Sequence, residues 1–166
     1  SSQTLGGIVA CNLSGSRRIQ AGAARDHLLG FEAVSGRGEV FKSGGRVVKN
    51  VTGFDLSKLM AGSFGTLAVM TSLSVKVMPV PEKTRTLLIL GLDEAKAVRA
   101  MTKALQSPHE VNAAAYLAET QGRRSSVSYV SGAGQAITAL RIQGPGPSVF
   151  ARLEEMRRRP ARERVG

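Results

Sequence analysis

Tryptophan is absent from this 166-residue sequence, and aromatic residues of all kinds make up only 4% of it. Nucleic-acid modules usually combine basic charge with aromatic stacking platforms or a recognition helix. With two Tyr, five Phe and no such motif, the net charge of +11 reads as a solvated basic surface, not a nucleic-acid interface. The charge is spread along the chain: residues 1–80 hold nine Lys/Arg against four Asp/Glu, and residues 81–166 hold fourteen against eight. A single cysteine, Cys11, excludes an internal disulfide and any multi-cysteine metal site. In its apolar surroundings Cys11 reads as a small buried hydrophobe. The two histidines, His27 and His109, have no ligand spacing to each other or to carboxylates, so no metal site is expected. No apolar run reaches the length of a bilayer span, and the first residues carry no charged leader before an apolar stretch. A soluble, cytoplasmic chain without a transmembrane segment is the expectation. No serine sits in a nucleophile elbow, and neither a Gly-Lys-Ser/Thr phosphate loop nor a Gly-x-Gly-x-x-Gly helix opening is present. No catalytic residue is assigned.

Glycine is what the sequence has in quantity, and its distribution is uneven. Twelve of the nineteen glycines fall within the first 66 residues. Pro79-Val80-Pro81 separates this turn-dense part from a more ordinary alternation, so the boundary divides residues 1–80 from 81–166. In the first part, 28–34 and 39–42 read as strands joined by Ser35-Gly36-Arg37-Gly38, with a second turn at Gly44-Gly45. Residues 54–61 read as a helix with Leu56, Leu59 and Met60 on one face. A strand over 66–78 would put Leu67, Val69, Thr71, Leu73, Val75 and Val77 on one face, and Ala68, Met70, Ser72, Ser74 and Lys76 on the other. In the second part a strand over 86–92 precedes a helix capped by Asp93. That helix would run to Leu105 with Ala95, Val98, Thr102 and Leu105 inward. Strands follow over 111–117, 126–130 and 136–143, with 121–124 as a turn. A helix over 149–158 leads into a frayed end from Pro160. The resulting order β-α-β-β-β-α points to a ferredoxin-like α+β layer that stops before its closing strand.

Two glycine-rich segments carry candidate chemistry. Thr4-Leu5-Gly6-Gly7 through Asn12-Leu13-Ser14-Gly15, and Gly62-Ser63-Phe64-Gly65-Thr66-Leu67-Ala68-Val69-Met70, combine closely spaced amides with little side-chain bulk. Backbone of this kind can approach a diphosphate closely.

Together with Gly22, Arg25-Asp26-His27-Leu28-Leu29-Gly30, Gly44-Gly45 and Lys49-Asn50-Val51-Thr52-Gly53-Phe54-Asp55-Leu56, these segments resemble the vanillyl-alcohol-oxidase, or p-cresol-methylhydroxylase-type, FAD-binding family. Ser14-Gly15-Ser16-Arg17-Arg18, Gln20-Ala21-Gly22 and Ala139-Leu140-Arg141-Ile142-Gln143-Gly144 look most like its branch of glycolate oxidase FAD-binding (E-type) subunits. The resemblance implies an α+β chain built from the second subdomain of a p-cresol-methylhydroxylase-type FAD-binding domain and an incomplete ferredoxin-like cap domain. It implies FAD as cofactor, with Thr4, Leu5, Gly6, Gly7, Asn12, Ser14, Gly15 and Gly22 toward the pyrophosphate and ribityl chain. Gly65, Thr66, Leu67, Ala68, Val69 and Met70 would run beside the flavin or its adenine end. Ala68 stands where the family has glycine, which would bring a methyl group toward the cofactor. The family also has an earlier glycine-rich loop, ahead of Ser1, so weak or absent FAD binding by this chain alone is expected. The implied partners are a catalytic flavoprotein subunit and an iron–sulfur subunit of a glycolate oxidase complex, through which the chain could reach a membrane. Uncovered sheet surface predicts self-association. The competing expectation is a cofactor-free structural or assembly module of the same fold.

Overall fold

The computed structural model describes residues 3–47 and 53–162, with side chains described to Arg158 in the last helix. The Lys49-Asn50-Val51-Thr52 motif lies outside the described residues. The fold is α+β, in two compact units, Ser1–Pro79 and Val80–Gly166.

The first unit opens with a short helix, α1 (Leu5–Ala10), within the first glycine-rich segment. The Thr4 hydroxyl accepts from the Gly7 amide at 3.1 Å, capping the first turn and letting two adjacent glycines enter a helix they would not favour alone. Two four-residue helices, α2 (Arg18–Ala21) and α3 (Ala24–His27), lead into β1 (Leu28–Ser35), which forms a hairpin with β2 (Val40–Gly44). A five-residue helix, α4 (Leu56–Met60), precedes β3 (Ala68–Val75), and the sheet order is β2-β1-β3, antiparallel throughout. The core gathers Val9, Leu28, Phe31, Ala33, Met60, Ala61 and Ala68, with Phe31 and Phe41 meeting edge to face at 5.7 Å.

Three expectations for this unit change. Strict alternation in β3 fails, because Ala33 pairs with Met70 whereas Glu32 pairs with Ser72, leaving Thr71 as an extra residue. The bulge turns the strand over: Ala68 and Met70 join Leu73 on the core side, and Val69 is 68% exposed. In α4 Leu56 and Met60 pack inward as expected, joined by the buried Ser57, while Leu59 is exposed. Five residues cannot hold a full apolar stripe against the sheet. Cys11 is exposed as well, because it is the C-cap of α1, past the buried Val9 and Ala10.

The second unit is a three-stranded antiparallel sheet of β4 (Lys83–Leu90), β5 (Val111–Leu117) and β6 (Ile137–Gly144) in the order β4-β6-β5. Two helices, α5 (Glu94–Leu105) and α8 (Gly146–Arg162), cover one face, burying Val149, Leu153 and Met156 against Leu140 and Ile142. Strand β6 between β4 and β5, with a helix after the first and third strands, is the ferredoxin-like layout up to its second helix.

The Asp93 cap holds, with its carboxylate accepting from the Lys96 amide at 2.7 Å. The inward stripe of α5 is Ala97, Met101, Ala104 and Leu105, however, and Ala95, Val98 and Thr102 face solvent. Two alanines at the contact let the helix approach the sheet closely, which the bulkier Val98 would prevent. The strand expected over 126–130 is instead helical: α6 (Glu119–Gly122) and α7 (Ser128–Ser131) bridge β5 to β6. The Ser125 hydroxyl accepts from the Val127 amide and turns the chain just before α7, an alternative to strand pairing that serine offers. The order is therefore β-α-β-α-α-β-α. Helix α8 starts three residues earlier than expected and continues through Pro160 to Arg162.

Candidate functional site

The two glycine-rich segments, far apart in sequence, are adjacent in the first unit. The Phe64 amide donates to the Ala10 carbonyl at 2.8 Å, and the Gly62 amide donates to the Val9 carbonyl at 3.2 Å. The 62–65 turn is thereby fixed to the end of α1. A Cβ on Gly6 would lie 3.6 Å from the Met70 carbonyl, so α1 also lies against β3. The left-handed backbone that this junction needs appears at Asn12, φ 49°, and Phe64, φ 54°, with glycine supplying it at Gly62 and Gly65.

The expected residues fall into distinct roles. Among the amides of α1, that of Gly7 is taken by Thr4, and those of Ile8 and Cys11 by the helix ladder, leaving the Leu5 and Gly6 amides at the helix start. Leu5 is exposed. Asn12 uses its side chain internally: Oδ1 accepts from the Arg25 amide at 3.0 Å, which ties the loop to α3. Ser14 bonds back to the Asn12 carbonyl, and a Cβ on Gly15 would meet nothing within 4 Å, so this stretch borders open space. Gly22 is a corner: at φ 84° it passes the Asp26 carboxylate, which accepts from the Ala23 amide at 2.7 Å. That bond, with nearby cations adding less, holds the Asp26 carboxyl below its ordinary range. Gly65 also borders open space, and Thr66 folds back onto the Ser63 carbonyl through its hydroxyl at 2.7 Å. Leu67 and Val69 are exposed, whereas Ala68 is buried in the core and Met70 packs against it. The Ala68 methyl therefore points into the protein and not toward a ligand on the outer side of β3.

The electrostatics of this surface are one-sided. No Asp or Glu occurs before Asp26, while Arg17, Arg18 and Arg25 lie within or just after the first glycine segment. Two polar atoms here are buried without a partner, the Ser63 hydroxyl and the Arg17 Nε. The loops thus offer small residues, open space at Gly15 and Gly65, unspent donors and positive charge, which suits a diphosphate. The exposed Leu5, Leu67 and Val69 suit an apolar ring. Ser63 and Arg17 lie in the motifs already singled out, but neither was named as a site residue; burial without partners marks them. Among the described residues no three His, Cys, Asp or Glu side chains cluster as metal ligands, and no helix is long and apolar enough to cross a membrane.

Comparison with solved structures finds the fold in alkyldihydroxyacetonephosphate synthase, with a TM-score of 0.67 at 19% identity over 91% of this chain and 31% of that one. No family model matches the sequence. Among curated proteins it is 49% identical over 84 residues to the glycolate oxidase subunit GlcE of Escherichia coli, covering 51% of this chain and 24% of that protein. It is 41% identical over 87 residues to the glycolate oxidase subunit GlcD of Bacillus subtilis, covering 52% of this chain and 18% of that protein. An uncharacterized FAD-linked oxidoreductase of Mycobacterium tuberculosis is 39% identical over 106 residues, 64% of this chain and 23% of that protein. The chain is similar to these glycolate oxidase subunits and FAD-linked oxidoreductases, and it spans about a quarter or less of their length.

Proposed function

We propose that this chain contributes part of the FAD site of a flavoprotein that oxidises a small 2-hydroxy acid such as glycolate. The observation that carries the reading is the junction of the two glycine segments through the Phe64–Ala10 and Gly62–Val9 backbone bonds. Residues 1–80 would serve as the C-terminal part of the FAD-binding domain and residues 81–166 as part of a cap. Leu5, Gly6, Ser14 and Gly15 would face the diphosphate, and the outer side of Gly65 to Met70 would lie along the cofactor. Bound FAD would supply the two-electron acceptor for the substrate. The chain's own part is to bind and orient it.

Leu5, Phe64 and Val69 are exposed, so these elements make one wall and leave the rest of a bound cofactor in water. Each hydrogen bond a facing wall would add is worth about 0.5–1.5 kcal/mol, more when charge-assisted. Affinity for FAD by this chain alone should therefore be weaker than micromolar. Titration followed by flavin fluorescence tests this, and sub-micromolar binding would contradict it. The relatives named as glycolate oxidase subunits GlcE and GlcD support a multi-subunit assembly; the partners proposed in it are a catalytic flavoprotein subunit and an iron–sulfur subunit, in the cytoplasm. Co-purification with those two subunits is the expected outcome.

A second reading, a structural module without cofactor, is favoured by the internal use of Asn12 Oδ1 and the Gly7 amide. A preparation that assembles with its partners yet never perturbs flavin fluorescence would favour it.

A further inference from the structure

His27, the last residue of α3, sits between two backbone acceptors. Its Nε2 lies 2.7 Å from the Ala21 carbonyl oxygen, and its Nδ1 lies 3.1 Å from the Lys76 carbonyl oxygen. A carbonyl oxygen can only accept, so each contact is a hydrogen bond only when the ring nitrogen carries a proton. Neutral imidazole has one N–H and one lone pair, and here the lone pair would face an oxygen. The imidazolium alone donates at both ends.

The ring has little freedom to turn away. The Lys76 amide donates to the His27 carbonyl at 2.8 Å, so these two residues are also tied through their backbones. Ala21 ends α2, where no further helical turn supplies a donor for its carbonyl. The charged groups around the ring are Arg25 and Asp26 on α3, Asp55 and Lys58 at α4, and Lys76 just after β3. Arg18 is the one charged residue of α2, and α1 has none. Asp26 is adjacent and favours the charged ring. Arg18, Arg25 and Lys76 oppose it from exposed positions, where solvent screens them. Lys58 donates its ammonium to the Arg25 carbonyl at 2.7 Å. Direct contact with two oxygens therefore outweighs the repulsion.

We propose that His27 is a proton-operated clasp holding residues 21–27 to the end of β3, closed in acid and half-released when the ring loses a proton. The Nε2 contact is the shorter, so the neutral ring keeps its proton there and gives up the bond to Lys76. Its contribution to stability is full in acid and is lost as pH rises through the histidine range. Because the Arg25 amide is held by Asn12 Oδ1 at 3.0 Å, opening the clasp also loosens the turn after α1. The clasp lies within the first unit and stands whether or not the glycine turns take a flavin.

Long-range proton–nitrogen NMR of the isotopically labelled full chain, between about pH 5 and about pH 8, tests it. The chain has two histidines, so His27→Gln assigns the His27 ring signals by their loss. Both His27 ring nitrogens should carry protons at the acid end, and Nε2 alone at the other. Exchange of the Lys76 amide, corrected for the intrinsic pH dependence, should be about tenfold faster at the upper limit. His27→Gln should lose the fall in thermal stability with rising pH that the unsubstituted chain shows over this range. If that variant does not fold, the ring signals are assigned through the backbone, and the protonation and exchange readings decide. A ring nitrogen without a proton at the acid end, a neutral ring protonated on Nδ1, or an unchanged pH dependence in the variant would overturn the proposal.

Discussion

A few side chains join elements that local propensity alone would not bring together. Arg152, on α8, donates to the His109 carbonyl at 3.1 Å, the Gln143 carbonyl at 3.0 Å and the Glu110 carboxylate at 2.8 Å. It fastens the last helix to β6 and to the turn before β5, where Glu110 takes a left-handed φ of 50°. Arg152→Ala should lower stability by about 2–3 kcal/mol, since largely buried charge-assisted bonds are lost and two carbonyls are left unmet. Urea unfolding checks this, and a loss under half a kcal/mol, the size of an ordinary surface change, would contradict it. Asp93 supplies a pH dependence. Its bonds to the Lys96 side chain and amide hold its carboxyl below the ordinary value of 3.8. The folded form therefore gains from ionised Asp93 above that value and loses the gain as pH falls through the lowered one. Asp93→Ala should flatten the acid limb of the stability curve, measured by thermal unfolding between neutral and acid pH.

Turns and pairings decide more than propensity at the scale of elements. The hairpin of β1 and β2 is closed by crossing glycines: a Cβ on Gly30 would come within 2.9 Å of the Gly44 backbone, and one on Gly44 would run into the Leu29 carbonyl. Gly44 also sits at φ 71°. Gly44→Ala should therefore destabilise the first unit by more than about 2 kcal/mol, combining left-handed strain with a backbone clash. Amide exchange would show protection lost across Phe31 and Ser43, while retained protection would argue against the close crossing. Glycine pairs and the Asp93 cap were legible in the sequence because turns and caps depend on residues next to one another. Bulges were not. The extra residue at Thr71 is set by pairing with Glu32, some forty positions away, where the Thr71 hydroxyl meets the Glu32 carbonyl. Strict alternation therefore assigned β3 the wrong inner face. Likewise Val98 outranks Ala97 on hydrophobicity alone, yet close helix-to-sheet contact selected the smaller residue.

Across the whole molecule, the two units carry different kinds of surface. The first combines open glycine turns, an arginine-bearing segment without acids and exposed apolar side chains; the second buries a helix-covered sheet around Ile137, Ile142 and Val149. Ordered motifs such as Asn12-Leu13-Ser14-Gly15 and Gly62-Ser63-Phe64-Gly65 made the resemblance legible. They did not reveal which backbone groups remain available, since Thr4, Asn12 and Thr66 satisfy neighbours through bonds that only the fold defines. The central claim, that the joined glycine turns form a wall for the FAD diphosphate, is tested most directly by amide NMR during FAD titration. Saturable shifts at Leu5, Gly6, Gly15 and Gly65 to Met70, with riboflavin lacking the diphosphate failing to reproduce those at Leu5, Gly6 and Gly15, are the predicted result. Shifts absent from these turns at every FAD concentration, or equally large with riboflavin, would contradict it.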